Sequence, residues 1–483
     1  MHRRTIAPVA AACVLLAAAP LSAESPRAEL GKRLRRFETA WQDADAQRRA
    51  AAVAPMSAAV RDFFSLRLAS AAARLDDAWI GLRPVAPPEP AERRAIATAV
   101  AAAPLLADTA AGGLSITFDP LYDAPGGDDA TARLRLAIED ASGRTIVERE
   151  GPWAEASGTL SWTAGALPEG DHRLVVEWRR EGTSVEVARL GLSRVAGIDG
   201  RLAALRRRLE APEGIADPTA RATAAAIARL LDDLALSRGQ ETDHPAARLL
   251  AFAEALLAEG AAAGPTIAAE AREADCWLTL SDGRAEVPVR VRAPADREGA
   301  LPVLFLLHGA GGSENMFFET CGAGRAVTLG LERGWLVVAP RQGLFGLPLD
   351  LEAMLGILGK SFAIDRARVF VAGHSMGAAQ TARQTSLHPE LVAAAAAIGG
   401  GGSAPTGEAA RRVPWFVAAG AADFGRAGAE ALARNLRAAG NRVEERSIPD
   451  VEHMVVVQAA LDDLFAFLDG VAAGAEADDA VRR

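Results

Sequence analysis

Hydrophobic spacing along the chain changes period several times. Over residues 27–83, "LGKRLRRFETAWQDADAQRRAAA" and "VRDFFSLRLASAAARLDDAWIGL" carry apolar residues three and four apart with charges between them, which predicts amphipathic helices. "PVAPPEP" breaks the pattern as a stiff connector, and residues 91–106 read as a further short helix. From Leu114 the alternation becomes two-fold in "LSITFDP", "ARLRLAIED", "RTIVERE", "GTLSWTA" and "HRLVVEWRR", with turn material such as "APGGDD", "ASG" and "LPEG" between. Strands continuing to about residue 194 predict a small antiparallel β-sandwich. Its immunoglobulin-like label rests on strand count and spacing alone, because no cysteine pair lies there. Residues 200–263 return to helical spacing, and their alanine–leucine stripes read as packing faces.

The last stretch, residues 271–468, alternates differently. "VPVRV", "VLFLLHG", "WLVVAP", "RVFVAG", "LVAAAAAIG", "PWFVAAG" and "NRVEERSIP" are strand candidates separated by helix-like segments. Nearly unbroken apolar strands followed by helices predict an α/β domain with a mostly parallel sheet covered on both faces. The expected organisation is a leader at 1–23, a helical region at 24–110, the sandwich at 111–197, a helical connector at 198–264, the α/β domain at 265–472 and a flexible tail at 473–483.

Composition changes this picture in a few places. A length of 483 residues suits two or three domains, and 50% hydrophobic residues supply several cores. The net charge of −9, with no basic stripe interleaved by aromatics, argues against a nucleic-acid partner. Arg3 and Arg4 followed by an apolar run over 7–19 and by Leu21-Ser22-Ala23 have the layout of a cleavable secretory signal. The rival is a retained anchor, but the run is short for a bilayer and no later segment is apolar over about 18 residues. The expectation is a secreted or periplasmic chain with no stable membrane insertion after cleavage. Cleavage removes Cys13 and leaves Cys276 and Cys321, whose pairing spacing cannot decide. No metal-ligand motif is present, and neither a metal nor a cofactor is expected.

The chemistry centres on "RVFVAGHSMGAAQ". Gly373-His374-Ser375-Met376-Gly377 stands between an apolar strand and a helix, where small residues two before and two after a serine let strand and helix pass closely. A plain tight turn is the bland reading. A serine hydroxyl needs a base, and downstream of Ser375 only His388 and His453 remain. His388, before Pro389, reads as a helix-terminal residue; His453 follows the last strand candidate and is the candidate base. Asp423, at the end of "PWFVAAG", is the candidate third member, with Asp450 and Glu452 in reserve. In "VLFLLHGAGG" the unhindered amides after a buried strand can face a developing oxyanion together with that of Met376. A phosphate loop is the competitor, but its Lys-Ser/Thr ending is missing. His308 reads as a loop-orienting residue.

The "HGAGG" loop, "IDRARVFVAGHSMGA", the strand end at Asp423 and "VEHM" together resemble the α/β-hydrolases. The likeness is to the secreted esterase branch of polyhydroxybutyrate depolymerase-like and feruloyl esterase-like proteins, with dienelactone hydrolases and prolyl oligopeptidase-type peptidases more distant. It covers roughly the last 210 residues. It implies Ser375 as nucleophile, His453 as base, Asp423 as acid, and Ala310 and Met376 as oxyanion donors. The chain departs from common forms in having Ala378 where a third glycine often stands and in lacking a Trp-Pro pair after the histidine. That weakens a polyester assignment.

The expected activity is carboxylic ester hydrolysis on a small-molecule or polymeric ester. Absence of a long inserted cap predicts an open cleft, suited to a bulky compound, unless the upstream regions lean over it. "GGGGSAPTGEAARR" can be a cleft wall or a solvated connector, and Leu344, Phe345 and Leu347 can be apolar contacts or ordinary core. The alternatives are a prolyl oligopeptidase-like serine peptidase and a non-catalytic envelope binding protein.

Overall fold

The computed structural model describes residues 26–124, 130–211, 215, 217–343 and 346–482. The expected leader lies outside the described residues, as do Leu344 and Phe345. The described residues open with helices α1 (Pro26–Asp43), α2 (Ala46–Phe64), α3 (Leu68–Leu82) and α4 (Pro90–Ala97). The second helical stretch expected from spacing is broken: α2 stops at Phe64, where Leu66 turns into the left-handed region at φ 60°. Residues 98–103, expected to be helical, form a strand instead. Six residues of Thr-Ala-Val-Ala-Ala-Ala pair antiparallel with residues 115–120, and that ladder outweighs the helix propensity of alanine.

Strands β1 (Thr98–Ala103), β3 (Gly113–Pro120) and β6 (Gly158–Thr163) make one sheet of a two-sheet unit. The second runs β2-β8-β7-β4-β5, from β2 (Leu106–Ala107), β4 (Arg133–Glu139), β5 (Thr145–Pro152), β7 (Gly170–Arg180) and β8 (Thr183–Arg194). Both sheets bury alternate side chains, Ile116, Phe118, Leu136, Trp162, Val176 and Trp178 among them, in one shared core. It is not purely antiparallel, since β2 runs parallel to β8.

Four connector helices follow: α5 (Ile198–Glu210), α6 (Pro218–Ala235), α7 (Ala246–Leu256) and α8 (Ala263–Glu273). They lead into β9 (Cys276–Ser281), β10 (Glu286–Arg292), β11 (Leu301–Leu307), α9 (Met316–Glu319), α10 (Arg325–Glu332), β12 (Leu336–Pro340), α11 (Leu351–Leu358) and β13 (Ile364–His374). Then come α12 (Met376–Leu387), β14 (Ala394–Ile398), α13 (Glu408–Arg412), β15 (Trp415–Gly420), α14 (Arg426–Ala439), β16 (Val443–Ile448) and α15 (Val456–Arg482). The final helix runs through the segment expected to be a flexible tail.

The eight strands order as β16-β15-β14-β13-β11-β12-β10-β9, parallel from β16 to β12 and antiparallel at β10 and β9. One face packs beneath the connector helices, α11, α12 and α14, where Leu231, Leu250, Val303, Val371 and Trp415 share a core. The other packs beneath α10, α15 and the N-terminal helices, with Phe37 and Met56 in the same core as Phe370, Phe416 and Phe465. Helices α1 to α3 are therefore a covering layer of the large sheet, fixed by burial rather than by a linker, while α4 packs into the two-sheet core. Cys276 and Cys321 are separate buried thiols, and burial pushes both well above the ordinary thiol pKa. Among the described residues, no helix is long and apolar enough to cross a membrane.

Candidate functional site

Ser375 sits where β13 ends and α12 begins, with φ 57° and ψ −114°. A non-glycine residue there is strained by roughly 1–3 kcal/mol, so the surrounding packing must hold it. That packing is visible at the flanking glycines. A Cβ on Gly373 would lie 2.1 Å from the Gly377 carbonyl oxygen, and one on Gly377 would lie 1.9 Å from that of Leu307. Strand and helix thus pass too closely for any side chain at either position.

Three residues from separate strand ends converge on the turn. His453 Nε2 lies 2.9 Å from Ser375 Oγ, and His453 Nδ1 lies 2.7 Å from Asp423 Oδ1. A carboxylate only accepts, so Nδ1 carries the proton and Nε2 is free to accept from the serine hydroxyl. Asp423 also accepts from the Gly425 amide at 2.6 Å. Burial acts to raise the Asp423 pKa, but the hydrogen bond and charge of His453, with that amide, outweigh it and hold the group below the ordinary carboxylate value.

Two histidines that face the site from behind are held neutral. Burial, aided by the nearby His453, pushes His374 down to about 3. Its Nε2 lies 2.8 Å from the His453 carbonyl, which only accepts, so His374 donates and pins the backbone that carries the base. Burial likewise pushes His308 to about 4. His308 Nε2 accepts from the Gln342 amide at 3.0 Å, leaving Nδ1–H to donate to the Gly309 carbonyl at 2.7 Å. Gln342 Nε2 in turn donates to the His308 carbonyl. The loop after β11 is thereby locked against the chain following β12.

That loop abuts the serine: a Cβ on Gly309 would lie 3.2 Å from Ser375 Cβ. The amides of Ala310 and Met376 have no partner among the described residues, and Met376 opens α12, where helix amides point outward unsatisfied. Other sequence candidates fall elsewhere. Glu452 turns to the amides of Met454 and Val455 at 2.9 Å each, at the start of α15, and burial raises its pKa. Asp450 occupies a left-handed turn at φ 51°. His388 ends α12 with Nε2 3.1 Å from Asp350. Of the glycine-rich segment after β14, Gly400 backs directly onto the site, where a Cβ would come within 2.4 Å of the Ser375 carbonyl oxygen. Leu347 packs against the sheet core.

Sequence reasoning missed the aromatic contacts. Phe424, next to Asp423, lies over the His453 ring at a centroid distance of 3.8 Å, and Phe64 meets Phe424 edge-on at 6.0 Å. The Phe63-Phe64 pair was visible, but nothing in local spacing says that the end of α2 reaches this cleft. Chemically, the arrangement can pass the Ser375 proton to His453 and stabilise the resulting imidazolium through Asp423.

No protein-family model and no curated protein sequence matches the chain. Among solved structures, a thermostable esterase is similar at 23% identity and TM-score 0.36, over 41% of this chain and 64% of that one. The match thus spans less than two thirds of that esterase. A ferulic acid esterase is similar at 19% identity and TM-score 0.36, over 41% of this chain and 98% of its own. An S-formylglutathione hydrolase from Staphylococcus aureus is similar at 14% and 0.33, over 40% and 98%.

Proposed function

We propose that this chain is an exported serine hydrolase of the α/β-hydrolase type that cleaves carboxylic esters through Ser375, His453 and Asp423. The observation that carries the reading is the strained Ser375 held 2.9 Å from a histidine whose far nitrogen is 2.7 Å from a buried carboxylate. Ser375 Oγ attacks the ester carbonyl carbon while His453 Nε2 takes its proton, and the carbonyl electron pair moves onto oxygen. The amides of Ala310 and Met376 receive that oxyanion. Collapse re-forms the carbonyl and breaks the bond to the alcohol oxygen, which takes the proton from His453. Water then attacks the acyl-enzyme, gives a proton to His453, and Ser375 leaves with that proton restored.

The open cleft for a bulky or polymeric ester is expected only where the upstream regions do not lean over it. The end of α2 does reach over it, through Phe63 at the Gly311 loop and Phe64 at Phe424. We therefore favour a compact ester, with the two-sheet unit as an immunoglobulin-like spacer. The leading segment supports a secreted or periplasmic location. The test is hydrolysis of p-nitrophenyl acetate beside the matching p-nitroanilide, with Ser375→Ala as control. Ester cleavage lost in the variant supports the reading; preferential cleavage of the anilide would replace it with a peptidase.

A further inference from the structure

We propose that Phe63 and Phe64 of the N-terminal helices, with Phe424, form the specificity wall of the site and select esters bearing one flat apolar group. The inference rests on the ester-hydrolase reading and adds the substrate's shape to it.

The contacts close a circuit around the serine. On one side the loop after β11 touches Ser375 at Gly309, and a Cβ on Gly311, two residues on, would lie 3.3 Å from Phe63 Cζ. Arg27 of α1 reaches the Gly311 carbonyl beside it. Phe63 meets Phe64 edge-on, ring centroids 5.4 Å apart and planes at 77°. Phe64 meets Phe424 at 6.0 Å and 90°, and Phe424 covers His453 at 3.8 Å. His453 returns to Ser375 Oγ at 2.9 Å. The three rings thus stand in one chain of contacts that begins and ends at Ser375.

Those rings are incompletely packed by the protein itself. Phe424 is 61% exposed, and Phe63 and Phe64 are half-buried. Exposed aromatic rings cost apolar hydration that a ligand can relieve, and edge-on neighbours favour a flat partner whose own edge or face completes the cluster. A saturated ring of equal carbon number is thicker and lacks that complementarity. Because α2 is packed on the sheet through Met56 and its neighbours, the wall is held in place rather than tethered.

The test uses full-length Ser375→Ala, which binds without turnover, titrated calorimetrically with ethyl benzoate against ethyl cyclohexanecarboxylate, and with phenyl acetate against cyclohexyl acetate. The expected result is a preference of roughly two- to tenfold for the flat ring in at least one pair. That preference should fall to near parity on adding Phe64→Ala, and also on adding Phe64→Leu, which keeps bulk but loses the ring face. Absence of any flat-ring preference would overturn the proposal, as would a preference that survives both Phe63→Ala and Phe64→Ala. Fluorophosphonate labelling of the unsubstituted chain is run beside it. Failure to label removes the hydrolase reading, while the titration still reports on the wall.

Discussion

Phe424 lies against the imidazole of His453, ring centroids 3.8 Å apart and planes tilted by 34°. The residue that follows Asp423 in sequence thus covers the ring that Asp423 orients. When His453 carries the serine proton its ring is cationic, and an aromatic face beside a cation at an exposed site is worth about 0.5–1 kcal/mol. Phe424→Ala is expected to lower kcat about two- to fivefold. Steady-state kinetics with p-nitrophenyl acetate check this, and an unchanged kcat would mean the ring serves binding alone.

Asp423→Asn replaces an acceptor by a group that can donate to Nδ1. The expected result is the wrong histidine tautomer, with Nε2 protonated and unable to take the serine proton. A fall in kcat on the order of 10⁴ follows, with circular dichroism unchanged. Activity within tenfold of the parent would remove Asp423 from the relay.

Glu38 of α1 is buried and accepts from the amides of Cys321, Gly322 and Ala323 at 3.0, 3.1 and 3.0 Å. Burial, opposed by these amides and reinforced by the charge of Glu452, pushes its pKa from 4.5 up to about 7. A carboxyl raised on folding binds its proton more tightly in the native state. Its contribution is full below about 4.5 and lost as pH rises through about 7, an effect of roughly 3 kcal/mol at most. Denaturant unfolding between pH 5 and 8 should show the parent losing more stability than Glu38→Gln. Parallel curves would contradict this.

Asp76, wholly buried in α3, accepts from Arg33 at 3.2 Å, from Tyr122 at 2.7 Å and from Arg36. Arg33 also reaches the Thr98 carbonyl of β1 at 3.5 Å, and Tyr122 lies just past β3, so one carboxylate ties the N-terminal helices to the two-sheet unit. Asp76→Ala strands buried cations and should cost about 3–5 kcal/mol. Urea unfolding measures it; a loss under 1 kcal/mol would show the network to be dispensable.

Much of the large sheet was legible because most of its strands are short apolar runs closely followed by glycine or proline, and all seven candidates are strands. Among the strands of this sheet, the one missed was β9, "CWLTLS", an antiparallel edge whose pairing with β10 leaves no parallel-sheet pattern. Ser375, Asp423 and His453 lie together because each follows a strand, and parallel strands bring their ends to one edge. The contact of Phe63 and Phe64 with the site has no such local signal. Phe63 and Phe64 lie more than three hundred residues before Ser375 in the chain, and their reach depends on the break at Leu66 and on α1–α3 packing against the sheet. Local periodicity carries neither. Nothing in the sequence marks the role of His374, since its bond to the His453 carbonyl links two strand ends.

The most direct measurement is fluorophosphonate labelling of the folded full-length chain, with the modified residue located by mass spectrometry, beside His453→Ala. The account expects one adduct, on Ser375, formed at least about 10³-fold more slowly in the variant. An unlabelled Ser375 in folded protein, or equal labelling without His453, would contradict the claim that this turn holds a nucleophile.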